Sequence, residues 1–347
     1  MVDWNLARRL GNQIAGSPPA GTLPGDLPAR CDDAAQRVAA YTKLAPAAPL
    51  PAPEAVDRRL WLELNLAGLQ ATLDPVLERA LPESGAVAGP VRAAGGAVIA
   101  TEVGALSGYL ARRVLGQYEL QLLDPDYPPR LLFVAPNLID AAGALDADLD
   151  ELLSWVAFHE VTHAVQFAGV PWLRGHLAAL LGELLGSLEL KVDLRSALRL
   201  PSLEDLRGLA DGLREGGLVN VVAGPERRAI VDRIQSVMAL IEGHAEHVMD
   251  AVGVTVLPNL AALRSAMNRR RADRSPLVQL LERIIGLDLK LAQYETGKAF
   301  CDAVVADGGI DRLNLAWSDA SLLPSPQELK DPPLWLGRTR VPAVTSA

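Results

Sequence analysis

The residues best equipped for chemistry lie in one run, 152–169, reading LLSWVAFHEVTHAVQFAG, where His159, Glu160 and His163 stand in the order H-E-x-x-H. On a helix, residues four apart share a face about 6 Å apart along the axis, so the two imidazoles can aim at one point. They make two thirds of a zinc site. Glu160 projects beside such a metal rather than into its coordination shell, where a carboxylate can take a proton from an attacking water. The bland reading is a buried helix with two histidines close by accident. Between 152 and 168, however, the only ionisable side chains are these three. A helix apolar nearly all round is a buried one, and a buried carboxylate without a partner is costly. A metal removes that objection, and with 5 histidines in 347 residues a chance match is rare.

The rest of the chain has to position that helix. Half the residues are apolar and aromatics make up only 4%. Size is therefore no obstacle to a large core, and the dominance of Ala and Leu favours packed helices over a β-sandwich. The net charge of −9 argues against nucleic acid as a partner, because phosphate binding needs a basic surface. The one basic cluster, Arg269, Arg270, Arg271 and Arg274, reads as a solvated helix end. Cys31 and Cys301 are too few for a disulfide framework and fit a reducing cytoplasm. No basic-then-apolar leader opens the sequence, and no apolar run reaches the roughly 20 residues of a membrane helix. The longest candidate, 85–115, is broken by Arg92 and Glu102, and its Gly and Ala residues suit close helix packing.

In chain order, residues 1–55 read as an N-terminal arm with two Pro/Gly-rich stretches, SPPAGTLPGDLPAR and LAPAAPLPAPEA, flanking a helix over 32–43. Residues 57–80 have helical spacing, with Pro75 expected to interrupt or kink the helix. Residues 118–123 and 130–135 read as the arms of a hairpin around DPDYPP. An edge strand there could bind an extended peptide by strand addition, or simply cap the core. The second arm is expected to enter the H-E-x-x-H helix through a short acidic segment, with Asp146 or Asp148 as N-cap. His176 follows with no ligand partner at a recognisable spacing. Helices are expected over 203–217, 226–251, 259–272 and 277–305, the last ending at Asp-Gly-Gly. Ser325, Pro326 and Glu328 form a capping box.

A third ligand must come from elsewhere. The Gly and His that follow H-E-x-x-H in metzincins are absent, Gln166 and Gly169 standing in those places. The densest remaining cluster is IEGHAEHVMD, with Glu242, His244, Glu246, His247 and Asp250. EGHAEH resembles the E-G-x-A segment of gluzincin metallopeptidases, and the resemblance implies that Glu242 completes a His, His, Glu zinc site. It also implies that Glu246 supports a ligating histidine from outside the coordination shell. His244 stands about 200° around a regular helix from Glu242. By the same resemblance Tyr294 is a candidate donor to a reacting carbonyl, although a core or surface role is the commoner fate of a tyrosine. The segments VLGQYEL, LLFVAPN, WVAFHEVTHAVQF, VPWLRGHL, IEGHAEHVMD, QYETGKAFCDAVVADGG, LNLAWSD, LPSPQEL and DPPLWLGR together resemble the zincin-like family named for an association with biosynthesis of the deazaflavin redox coenzyme.

The expectation is a mainly helical zincin-like metallopeptidase domain with a small β element over 56–347. Its cofactor would be Zn, its catalytic base Glu160, its substrate a peptide or protein. The reading from another class is a zinc-stabilised helical scaffold without activity. An intact Glu160 speaks against it, because a purely structural zinc site is usually closed by four protein ligands. Binding of a phosphorylated intermediate finds no support in any G-x-x-x-x-G-K loop. The sequence is silent on oligomeric state.

Overall fold

The computed structural model describes residues 2–16, 22–80, 88–187, 225–272 and 288–340. The expected helix over 203–217 lies outside them, as does the first part of that over 277–305. The chain divides into two compact units, one comprising Met1–Ala34, Leu50–Ala164 and Leu185–Val192, the other Ala35–Pro49, Val165–Leu184 and Asp193–Ala347.

The first unit holds helix α1 (Trp4–Ala15), most of a small sheet's support, and the sheet itself. Asp3 caps α1 by accepting from Leu6 N. Helix α2 (Leu27–Thr42) begins in this unit. Strands β1 (Pro53–Val56), β2 (Gly116–Glu119) and β3 (Arg130–Val134) form one sheet in the order β1-β3-β2. β2 and β3 are antiparallel, Gly116 facing Phe133 and Glu119 facing Arg130, so the expected hairpin forms, but its first arm is Gly116–Glu119 and not 118–123. β1 adds a parallel strand, Pro53 beside Leu131, and it comes from the stretch expected to be an irregular Pro-rich linker. A proline at the first position of an edge strand costs the sheet no hydrogen bond it needs.

Helix α3 (Arg58–Ala80) continues through Pro75, so of the two expected effects, interruption or kink, the proline does not cause the first. Helix α4 (Ala88–Ala111) lies against α1 at very short range. A Cβ on Gly104 would stand 2.6 Å from the carbonyl oxygen of Ala7, and one on Gly108 the same distance from that of Gly11. The Gly and Ala content of 85–115 is thus used for backbone contact. Trp4, Ala7, Trp61, Leu62, Leu66, Leu132 and Val134 fill the core between these helices and the sheet.

After β3 the chain enters a helix, α5 (Ala135–Leu145), where a short acidic connection was expected. Pro136 at its start needs no N–H donor there. Asp146 takes the left-handed conformation (φ 50°) that ends α5, and Asp148 opens α6 (Leu149–Gly169) by accepting from Glu151 N at 3.0 Å. The N-cap is therefore Asp148.

The second unit contains α7 (Pro171–Gly186), α8 (Pro225–Gly253), α9 (Leu260–Ala272), α10 (Asp288–Leu313), two short 3-10 turns, α11 (Pro326–Lys330) and α12 (Pro332–Arg338), together with the end of α2. α10 breaks at Gly308 and Gly309 (φ 73°) but resumes to Leu313, so Asp-Gly-Gly marks a kink rather than the end. The capping box of Ser325 and Glu328 is formed, and Arg338 binds Glu328 Oε1 at 2.6 Å. No described helix is long and apolar enough to cross a membrane.

Candidate metal centre

α6 presents His159 and His163 on one face, their Nε2 atoms 3.3 Å apart and their rings edge to face. Tetrahedral zinc with Zn–N of about 2.05 Å would set two coordinated nitrogens about 3.3 Å apart. The pair thus has the spacing of two ligands of one ion. Trp155, one turn earlier, lies nearly parallel to the His159 ring, at 9° and a centroid distance of 6.3 Å. The third expected ligand, Glu242, belongs to the second unit. Two neutral imidazoles and a carboxylate are a donor set that suits zinc.

Glu160 is 8% exposed. Its Oε2 accepts from the main-chain N–H of Tyr118 on β2 at 2.8 Å. β2 is itself anchored on both flanks. Gln117 Oε1 accepts from Trp61 Nε1 at 2.5 Å, and its amide nitrogen donates to Asn65 Oδ1 at 3.1 Å, both partners on α3. Just before β2, the buried Asn137 of α5 donates to the carbonyls of Ala111 and Val114, at 2.8 and 2.6 Å. Arg58 in turn donates to Asn137 Oδ1 at 2.6 Å and pairs with Asp140. The landmark segment LLFVAPN therefore carries a fastening residue for the strand that meets Glu160.

Glu242 lies on α8. The residue after it, Gly243, meets Gly297 of α10, where a Cβ would stand 2.1 Å from the Gly297 carbonyl carbon. A Cβ on Gly297 would in turn lie 1.9 Å from Ala239 O. This explains the Gly of the E-G-x-A segment and that of QYETGKAF as one feature. His244 is fully buried, its ring edge-on to Trp317 at 5.5 Å. Glu246 is 8% exposed and accepts from Arg264 Nη2 of α9 at 3.1 Å. Arg264 also pairs with Asp250.

His247 belongs to a chain of polar contacts the sequence reading did not assemble. Its Nδ1 lies 2.7 Å from Asp302 Oδ1 and its Nε2 2.7 Å from the Tyr41 hydroxyl, both within hydrogen-bond distance. Lys298 binds Asp302 at 2.6 Å and Asp250 at 3.0 Å. Burial pushes the Asp302 carboxyl upward, but the bonds from Lys298 and His247 outweigh it and hold the group below the ordinary aspartate range. Burial raises the Tyr41 phenol, with the Asp302 charge adding to the effect. The available signal was the i,i+4 pair of Lys298 and Asp302. Tyr294 lies on α10, its side chain outside the described residues.

Elsewhere, His176 lines a cleft of about 590 Å³ in the second unit with Arg233, Ser321, Glu328 and Arg338. Burial and the neighbouring Arg233 charge lower its pKa. Cys31 and Cys301 are buried and unbonded to each other, burial pushing the Cys31 thiol up to about 12 and Cys301 upward as well.

The sequence profile of a family described as zincin-like metallopeptidase matches residues 2–336. A solved structure from Chloroflexus aurantiacus, described provisionally as a hydrolase with a novel fold, is similar at a TM-score of 0.72 and 29% identity. The similarity covers 97% of this chain and 98% of that one. A search of curated proteins found no match.

Proposed function

Because this chain belongs to the zincin-like metallopeptidase family, we propose that it is a zinc-dependent hydrolase acting on peptide bonds. The observation that carries the reading is the 3.3 Å convergence of the His159 and His163 Nε2 atoms, with the buried carboxylate of Glu160 on the same helix. His159, His163 and Glu242 would hold the metal. Zinc, when bound, supplies Lewis acidity and brings a water's pKa to about 7, against about 9 for the aqueous ion. Glu160 takes the proton from the attacking water and passes it to the leaving amine. Glu246, one turn beyond Glu242, supports the ligand set through hydrogen bonding.

The test compares wild type with Glu160→Gln, which preserves size while removing the proton acceptor. Both proteins should carry zinc by elemental analysis, and the variant should lose at least about 10²-fold in cleavage of a peptide library. A zinc-loaded wild type that cleaves no peptide would favour a metal-stabilised scaffold. Equal cleavage by both would remove Glu160 as the base.

A further inference from the structure

Gly116 and the main-chain amide of Tyr118 do something that packing alone does not require. Among the described residues β2 is an edge strand, and its side away from β3 carries N–H groups that meet no neighbouring strand. One of them, Tyr118 N–H, donates to Glu160 Oε2 at 2.8 Å. Two residues earlier on the same side of the strand, Gly116 leaves room for the rest of that side chain. A Cβ there would lie 2.6 Å from Glu160 Cγ, 3.0 Å from Glu160 Oε1 and 2.7 Å from Val156 Cγ1. The carboxylate is thus held at one oxygen and fitted along its methylene against bare backbone.

We propose that β2 is the seat of the general base, with Gly116 a positioning residue and Tyr118 N–H the bond that fixes the carboxylate's rotation. This rests on Glu160 being the base. A carboxylate on a buried helix turn has several rotamers, and only a small part of that range faces an attacking water. A displacement of about 1 Å in such a group can cost about 10²-fold in rate. The bond to Tyr118 fixes the position of Oε2 and, with it, the rotation of the carboxylate. The strand can serve as a reference because Gln117 is bound to Trp61 and Asn65, and the preceding loop to Asn137. The side chain of Tyr118 is not required for this role.

Two measurements decide the matter. The first does not depend on activity. Amide hydrogen exchange at Tyr118 should accelerate at least about 10-fold in Glu160→Ala, as expected when a protecting hydrogen bond is lost. It should accelerate less in Glu160→Gln, whose amide oxygen still accepts, and β3 amides should be unchanged in both. Unchanged exchange at Tyr118 would overturn the seat whether or not the protein proves to be a hydrolase. The second is kinetic. Gly116→Ala should keep its zinc, leave KM within about two-fold and lower kcat by about 10²-fold. Adding Val156→Ala relieves the contact with Val156 but not the one with Glu160. Restoration of kcat by that second change would show that Gly116 serves packing only and would overturn the proposal.

Discussion

Glu242 is the residue of α8 proposed to complete the metal site, a role in which its carboxylate would be ionised. Glu242→Ala should lower bound zinc from about one ion per chain to a small fraction of that, as removal of one of three protein ligands requires. Elemental analysis after dialysis would measure it. Full zinc in this variant, with loss in Glu246→Ala, would assign the ligand to Glu246 instead. Glu246→Gln should weaken zinc by about 10- to 100-fold without abolishing it, the usual effect of losing a supporting bond to a ligand. A competition titration against a chromogenic chelator reads this directly, and unchanged affinity would leave Glu246 with Arg264 alone. The H-E-x-x-H residues were legible because their spacing is itself the geometry. Gly116 was not, because a bare Cα announces neither a turn nor a contact until the strand beside it is known. The His247, Asp302 and Tyr41 contacts escaped for a similar reason, their members lying 55 and 206 residues apart.

At the scale of elements, α8 and α10 meet backbone to backbone, and this contact sets what their sequences tolerate. Replacing a helix-interior glycine by alanine ordinarily gains about 1 kcal/mol of helix propensity. At Gly297 the added methyl would meet Ala239 O at 1.9 Å, so the helices must separate. Overpacking of this kind costs about 1–3 kcal/mol, and contact with rigid main chain puts it at the upper end. Gly297→Ala and Gly243→Ala should therefore each destabilise the protein, measurable as a lower denaturation midpoint in urea at constant m-value. Stabilisation by either would mean that the helices part without cost. α3 could be read from apolar spacing and α8 from Pro225 in its first turn. β1 could not, because its four residues owe their extended state to β3, more than 70 residues away. α5 was obscured by its Ala, Gly and Pro content, which reads as a loop until Pro136 is seen to occupy the first turn.

For the whole molecule, two solution variables report on the proposed chemistry and on the polar network. A ligand bound by the native chain alone raises its stability by mass action, about 2.7 kcal/mol when present at a hundred times Kd. Chelator-treated protein should accordingly gain several degrees in Tm as zinc is restored, and Glu242→Ala should gain much less. A wild type indifferent to zinc would refute the assignment. Acid acts through Asp302. Its folded pKa lies below the ordinary value of 3.8, so its contribution is present above about pH 4 and is lost as pH falls through the depressed value. The stability gap between wild type and Asp302→Asn should thus be open at pH 6 and narrow steadily below pH 4. Urea titrations across that range would show it, and a gap that widens toward acid would reverse the sign argued here.

Where Gly243 meets Gly297 no side chain lies between the main chains, so the turn bearing Glu242 is referenced to a peptide plane, not to a compliant layer of methyl groups. Val248 on α8, and Phe300 and Val304 on α10, are buried apolar residues of the same two helices. Exchanging them for residues of similar bulk can change how the helices fill space while leaving the height of the Glu242 turn fixed. Drift in the oily part of the sequence is in this way uncoupled from the position of the Glu242 turn, and a redesigner has the widest latitude there.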